Sequence, residues 1–331
     1  MLKNRILALV KFLIFLGLGI FIVWWMAKGI DDEGWAQIHL SLSKARFILI
    51  LPVFMLLVLS HYFRALRWKM LMDPLGYKPS TFNVFNAVMI GYMANLAFPR
   101  LGEVLKCTLL ARYEKTSPDK LVGTIVAERA VDLVCLMIVF FLTIVFQIEI
   151  VGGYASYLMM KFTGSASSKA SLLILLLFAF LLSIWLISKW VKKHPENKLL
   201  LKISGLLQGI WSGLISIKYV RNKGLFILHS VIIWLLYFMG TRIGFYAMME
   251  VEHLGVKEAL SVLSFGSIGM IVTQGGLGAY QYAVQETLHL YQIDKVIGFT
   301  YGWVLWIAQT SVILLGGLFS LIVMPVYNRK K

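Results

Sequence analysis

Six apolar runs of 20 residues or more occupy the chain at 6–27, 47–66, 121–148, 171–190, 224–249 and 297–325. A helix needs about 20 apolar residues to cross a hydrocarbon core of ~30 Å, and only a structure that satisfies its own backbone hydrogen bonds can do so. These runs exclude a soluble fold. Composition agrees, with 59% of the 331 residues apolar and 15% charged, against roughly 45–50% and 25% in soluble domains. The first run follows Lys3, Arg5 and Lys11, as the apolar core of a signal peptide would. It is too long for one and has no small-x-small cleavage site after Trp24-Trp25, so it reads as a retained transmembrane helix.

Lysine and arginine total 32 against 16 aspartates and glutamates, a net charge of +16. In a soluble protein this would suggest nucleic acid. Here the basic residues lie between apolar runs, where they set topology and meet anionic lipid, and no nucleic-acid partner is expected. Cys107 and Cys135 fit neither a disulfide framework nor a zinc spacing. The scattered histidines form no metal-ligand pattern, and no phosphate-binding loop, hydrolase elbow or metalloprotease signature occurs. The expectation is a protein that is not an enzyme and holds no metal or cofactor.

Two shorter apolar stretches, 82–98 and 259–273, end in helix breakers: Pro99-Arg100-Leu101-Gly102-Glu103 and Gln274-Gly275-Gly276-Leu277-Gly278. With the N-terminus in the cytoplasm, Arg64, Arg67, Lys69 and Lys78 precede the first stretch, and Lys106, Arg112, Lys115 and Lys120 follow it. A single crossing would put one basic group outside, against the positive-inside rule. A re-entrant hairpin over about 82–113 keeps both inside. A second hairpin over about 259–293, dipping from outside, lets 297–325 return the tail Arg329-Lys330-Lys331 to the cytoplasm. The tally is then 22 basic residues inside, seven outside and three within the membrane, Arg100, Arg129 and Arg242. Residues 90–102 and 266–278 share an apolar run, a breaking pair and Leu-Gly at an offset of 176. Inverted repeats with broken helices meeting near the midplane are a transporter architecture. Between the halves, 199–220 carries apolar residues at helical spacing. It reads as an inner-leaflet interfacial helix or as a seventh membrane helix.

Polar residues are expensive in hydrocarbon, so their positions point to function. Pro99 ends the first hairpin helix and disfavours helix at Phe98, leaving free carbonyls and, after Gly102, free amides at membrane depth. Arg100 and Glu103 bring charge to the same tip, either as an ion pair or as ligand groups. Glu128 and Asp132 lie one turn apart on one face, with Arg129 about 100° away. Arg100, Lys106 or Arg129 could balance them, in a structural cluster or a headgroup site. Gly275, Gly276 and Gly278 make either a plain turn or a helix start whose amides suit a phosphate oxygen. Asn95, Tyr280 and Gln281 complete the candidate substrate-binding set.

The runs Pro99-Arg100-Leu101-Gly102-Glu103-Val104-x-Lys106, Glu128-Arg129-x-x-Asp132 and Gly275-Gly276-Leu277-Gly278 resemble those of the lysylphosphatidylglycerol synthase transmembrane region. This flippase-like family includes the membrane part of the multiple peptide resistance factor, which moves aminoacylated phospholipid between leaflets. The resemblance covers nearly the whole chain. It departs at Lys106, where the family usually has Arg, at Gln274, where it has Pro, and at Tyr280-Gln281, where it has an Arg-Glu pair. The soluble aminoacyl-transferring domain is not expected in this chain.

Together these readings predict an all-α polytopic membrane protein with about six transmembrane helices plus two inverted re-entrant helical hairpins, forming one flippase-like domain over 1–331. The resemblance implies translocation of a phospholipid, aminoacylated lipid or lipid-linked glycan across a prokaryotic inner membrane, with both termini cytoplasmic. The expected partner is a membrane lipid, anionic or aminoacylated. A lipid- or glycan-modifying enzyme is a further candidate partner. A transporter of small solutes or ions using the same cavity, and a non-transporting accessory protein of envelope lipid synthesis, remain alternatives.

Overall fold

The computed structural model describes residues 2–98, 101–147, 215 and 217–329, and contains no strand among them. α1 (Leu2–Lys28) is followed by α2 (Asp32–Lys44), which turns away at 106°. The sequence reading placed 28–46 outside the membrane without assigning an element. The signal for α2 is local: Asp31 caps it, its carboxylate accepting the Gly34 N–H at 2.8 Å, and Asp32 and Glu33 favour its positive N-terminal end. Glu250 and Glu252 anchor α2 and the residues after it by accepting from Ser41, at 2.6 Å, and from Arg46.

α3 (Ile50–Met72) extends beyond the predicted end at 66 and carries Arg64 and Arg67 within its last turns. α4 (Thr81–Ala97) stops where expected, with Phe98 extended at φ −140° and ψ 130° as its following proline requires. α5 (Leu101–Glu114) returns from that break, and α6 (Pro118–Phe146) starts on a proline that needs no helical hydrogen-bond partner there. After the undescribed stretch come α7 (Lys223–Gly244), α8 (Val256–Val272), α9 (Ala279–His289) and α10 (Lys295–Asn328). Among the described residues four helical stretches, Phe47–Leu75, Pro118–Phe146, Lys223–Ala247 and Lys295–Asn328, are each long and apolar enough to cross a membrane. The bent pair Leu13–Lys28 and Asp32–Lys44 is a fifth candidate. The predicted span 171–190 and nearly all of the predicted interfacial helix 199–220 lie outside the described residues, and the end of the latter holds a short turn, Ile217–Tyr219.

α4 and α5 form a helical hairpin. At its base the Glu114 carboxylate accepts from the Ser80 N–H at 3.0 Å and from the Asn83 amide at 2.5 Å. Near its tip Gly91 and Gly102 touch backbone to backbone. α8 and α9 form a second hairpin, joined at the base by Ser261 and Tyr291 at 2.8 Å and closed near the tip where Gly269 abuts Ala279 and Tyr280. The legs have 11 to 17 residues, about 16–26 Å at 1.5 Å per residue, less than a full crossing.

α10 relates the two hairpins. Its N-terminal part packs on α9, with Gly298 against Gln285 and Gly302 against Gln281. Its C-terminal part packs on α4, with Gly317 against Met93 and Asn328 hydrogen-bonded to Asn83 at 2.8 Å. The hairpins therefore approach each other from opposite ends of one helix, and their tips meet beside its middle. One buried apolar cluster, including Phe245 just after α7, Val284, Tyr301 and Leu305, locks the end of α7 to α9 and α10 on one side of those tips. A second cluster around Trp68, Leu110 and Leu121 binds α3, α5 and α6 on the other.

Candidate functional site

Glu128 on α6 is 1% exposed and Arg67 on α3 is fully buried. Charges so deep require partners. Glu128 accepts from Lys106 of α5 at 2.8 Å and from Arg64 at 3.3 Å, and lies 3.9 Å from Arg67. Asp132, one turn further along α6, accepts from Arg67 at 2.5 Å and also from Arg64. Lys106 lies over the Trp68 ring at 4.4 Å, whose indole N–H donates to Thr124 at 2.8 Å. Ser230 and Tyr237 of α7 accept from Arg67 at 3.2 Å and from Arg64 at 3.3 Å. The network thus joins α3, α5, α6 and α7. Three cations face two carboxylates within it, leaving one positive charge in excess.

Beside the network lies a cavity of about 290 Å³. Arg64 and His61 of α3, Tyr92 of α4, Arg129 of α6, Tyr237 and Thr241 of α7, Ser267 of α8, Tyr280 of α9 and Gln309 of α10 supply its polar lining. His61 and Arg64 are buried, and the His61 Nδ1 and Arg64 Nε find no hydrogen-bond partner among the described residues. Gln309 donates to the Tyr280 hydroxyl at 3.3 Å. Across α3 and α10 lies a second space, an apolar groove of about 840 Å³ lined by α1, α2, α3 and α10. Val53, Leu57 and Leu305 face the cavity, while Ile50, Phe54, Val304 and Ala308 face the groove.

The hairpin tips close on each other through Gln274, whose side-chain amide donates to the Asn95 and Leu96 carbonyls, the latter at 3.3 Å. Gln274 thereby satisfies carbonyls that the break before Pro99 leaves free. Asn95 serves the other leg, its side-chain oxygen accepting the Gly102 N–H at 2.8 Å. Gly275 and Gly276 adopt positive φ of 61° and 76°, and the Gly275 carbonyl accepts from the Trp306 indole at 2.8 Å. Gly278 lies against the Gly19 backbone of α1, and Gln281 accepts its N–H at 2.8 Å. One amide at the start of α9, that of Gly278, is therefore met by the protein itself.

Of the predicted residues, the structure brings Lys106, Glu128 and Asp132 into one network and places Arg129 and Tyr280 on the cavity. Asn95 and Gly102 build the first tip, Gly275 and Gly276 the second, and Gly278 and Gln281 the adjoining start of α9. Glu103 pairs with Arg129 at 3.3 Å, both partly exposed. Pro99 and Arg100 lie outside the described residues. Sequence reasoning missed His61, Tyr92, Tyr237 and Gln309, which have no motif of their own. It counted Arg64 and Arg67 as inner-side charges, whereas they are buried within α3 and hold the carboxylates of α6.

A charged network buried among apolar helices, beside a cavity with a mixed polar and apolar lining, defines a polytopic helical membrane protein with an internal cavity. The chain belongs to the lysylphosphatidylglycerol synthase transmembrane-region family, whose model matches residues 8–324. It is similar to a UPF0104 membrane protein of Methanocaldococcus jannaschii, with 26% identity over 233 residues, 67% of this chain and 63% of the relative. The match thus spans less than two thirds of that relative's length. No solved structure matches.

Proposed function

We propose that the protein is a flippase-like translocase that moves a lipid between the leaflets of a prokaryotic inner membrane, with both termini cytoplasmic. One observation carries this reading: a small cavity with charged and hydroxyl groups in its wall and a larger, more apolar groove share the walls α3 and α10. An amphipathic ligand needs that pair, with its headgroup among Arg64, Arg129 and the tyrosines and its tail in the groove. A water-soluble solute has no use for the groove. The family supports a role in lipid handling. The opposed hairpins suit alternating access, each tip serving as the inner edge of a gate toward one leaflet.

The direct test is lipid movement in proteoliposomes, read by reduction of a headgroup-labelled phospholipid from one side. The wild-type protein should exceed protein-free vesicles. Gly240→Leu should abolish the excess while folding normally, because a Cβ at Gly240 meets nothing closer than Val53 at 3.8 Å and the longer side chain fills the cavity. Equal rates for this variant and wild type would remove the cavity from the path.

Topology has its own test. In a chain with Cys107 and Cys135 replaced, Lys78→Cys and Lys120→Cys should both label from the cytoplasmic side, and His253→Cys and Gln292→Cys both from outside. Opposite sidedness within either pair would turn that hairpin into a full crossing.

A further inference from the structure

The carboxylates near the cavity are committed elsewhere. Glu128 is held by Lys106 and Arg64, and Asp132 by Arg67 and Arg64. Neither lines the cavity, and neither does Glu103, which binds Arg129. Among the described residues, the cavity's charged lining is Arg64 from α3 and Arg129 from α6. Arg64 is buried with an unsatisfied Nε donor. The remaining polar lining consists mainly of hydroxyls and an amide, which serve phosphate and hydroxyl oxygens but leave an ammonium without a countercharge.

We infer that the cavity selects a net-anionic, phosphate-bearing headgroup and rejects one carrying a net positive charge. The lipid source of that phosphate rests on the translocase reading; the anion preference rests on the wall itself. Arg129 meets Glu103 through its Nε and offers its terminal nitrogens as a planar fork for phosphate oxygens, while Arg64, whose terminal nitrogens hold Glu128, Asp132 and Tyr237, adds its Nε. In a medium of low dielectric a second cation beside them is repelled more strongly than in water. The cavity volume of about 290 Å³ sits near the lower end, about 300 Å³, of small-molecule sites. It therefore accommodates one compact headgroup and not a glycan chain.

Equilibrium binding to the purified full chain tests this, using dioctanoyl phosphatidylglycerol, phosphatidylcholine and lysylphosphatidylglycerol, which share tails and differ in headgroup charge. Phosphatidylglycerol should bind about tenfold or more tighter than the lysyl lipid, the scale of one hydrogen bond to a charged group. Arg129→Gln should erase most of that ratio without unfolding the protein, since the Arg129 side chain is 46% exposed. Ser267→Asp, which adds a carboxylate to the wall, should shift the ratio toward the lysyl lipid. Equal affinities, or a wild-type preference for the lysyl lipid, would overturn the inference and leave translocation standing. Glycerol phosphate separates the sources. If it binds, with the same loss in Arg129→Gln, while no lipid does, the anion site stands and the translocase reading falls.

Discussion

Glu128→Gln should be among the most damaging single substitutions in the described helices. It leaves Arg64, Arg67 and Lys106 facing Asp132 alone, so the buried excess rises from one positive charge to two. Removing one partner from a buried ion pair costs roughly 3–5 kcal/mol. The variant should lose apparent thermal stability in detergent and fall in membrane abundance. Glu128→Gln combined with Lys106→Met should recover most of the loss, because the excess returns to one and the methionine can reach the Trp68 ring, over which the Lys106 ammonium lies. Glu128→Gln with wild-type thermal stability would show that the network is not electrostatically coupled. Rescue of stability without transport would separate the cluster's structural role from its support of Arg64 at the cavity.

The second large effect belongs to the first hairpin tip. A Cβ built on Gly102 falls onto the Gly91 carbonyl, an obstacle of backbone that cannot rotate aside. Overpacking costs roughly 1–3 kcal/mol, and Gly102→Ala belongs at the upper end, since the two legs must separate. Gly91→Ala should be milder, its Cβ meeting the Gly102 carbonyl at 2.9 Å. Gly123→Ala is the control, with nothing within 4 Å of its Cβ, and should gain up to about 1 kcal/mol of helix propensity. Thermal melts of the three variants should follow that order. If Gly102→Ala melts with Gly123→Ala, the close approach of α4 and α5 is wrong. Misplaced legs would also break the Asn95–Gly102 and Gln274–Asn95 contacts, so transport should fall with stability.

The hairpin breaks were legible because they rest on local chemistry. Pro99 disfavours helix at Phe98, and the glycines after Gln274 are free to take the positive φ seen at Gly275 and Gly276. Charge led to the expectation that the two ends of each hairpin lie on one side of the membrane, which the labelling of the paired cysteine variants tests. α2 was legible in principle, from Asp31-Asp32-Glu33 ahead of a pattern with Ile38 buried and Trp35 exposed, but its direction was not. The departures from the family pattern acquire a reason only in three dimensions. Gln274 satisfies carbonyls of the other hairpin, and Gln281 caps the start of α9.

The amino-acid sequence alone determined that this chain lives in a membrane, where its apolar runs break, and that Glu128 and Asp132 share a helical face. Each follows from hydrophobic length, backbone sterics or helical periodicity, which act over a few residues. Tertiary structure decided which cations meet those carboxylates. Arg64 and Arg67 sit near the end of an apolar run, where sequence reads arginine as a marker of the cytoplasmic side. They become internal partners because α3 packs on α6, with the bonded residues more than 60 positions apart. The cavity arises in the same way. Seven helices each contribute one to four residues to its polar and apolar lining, and only their packing gives those residues a common purpose.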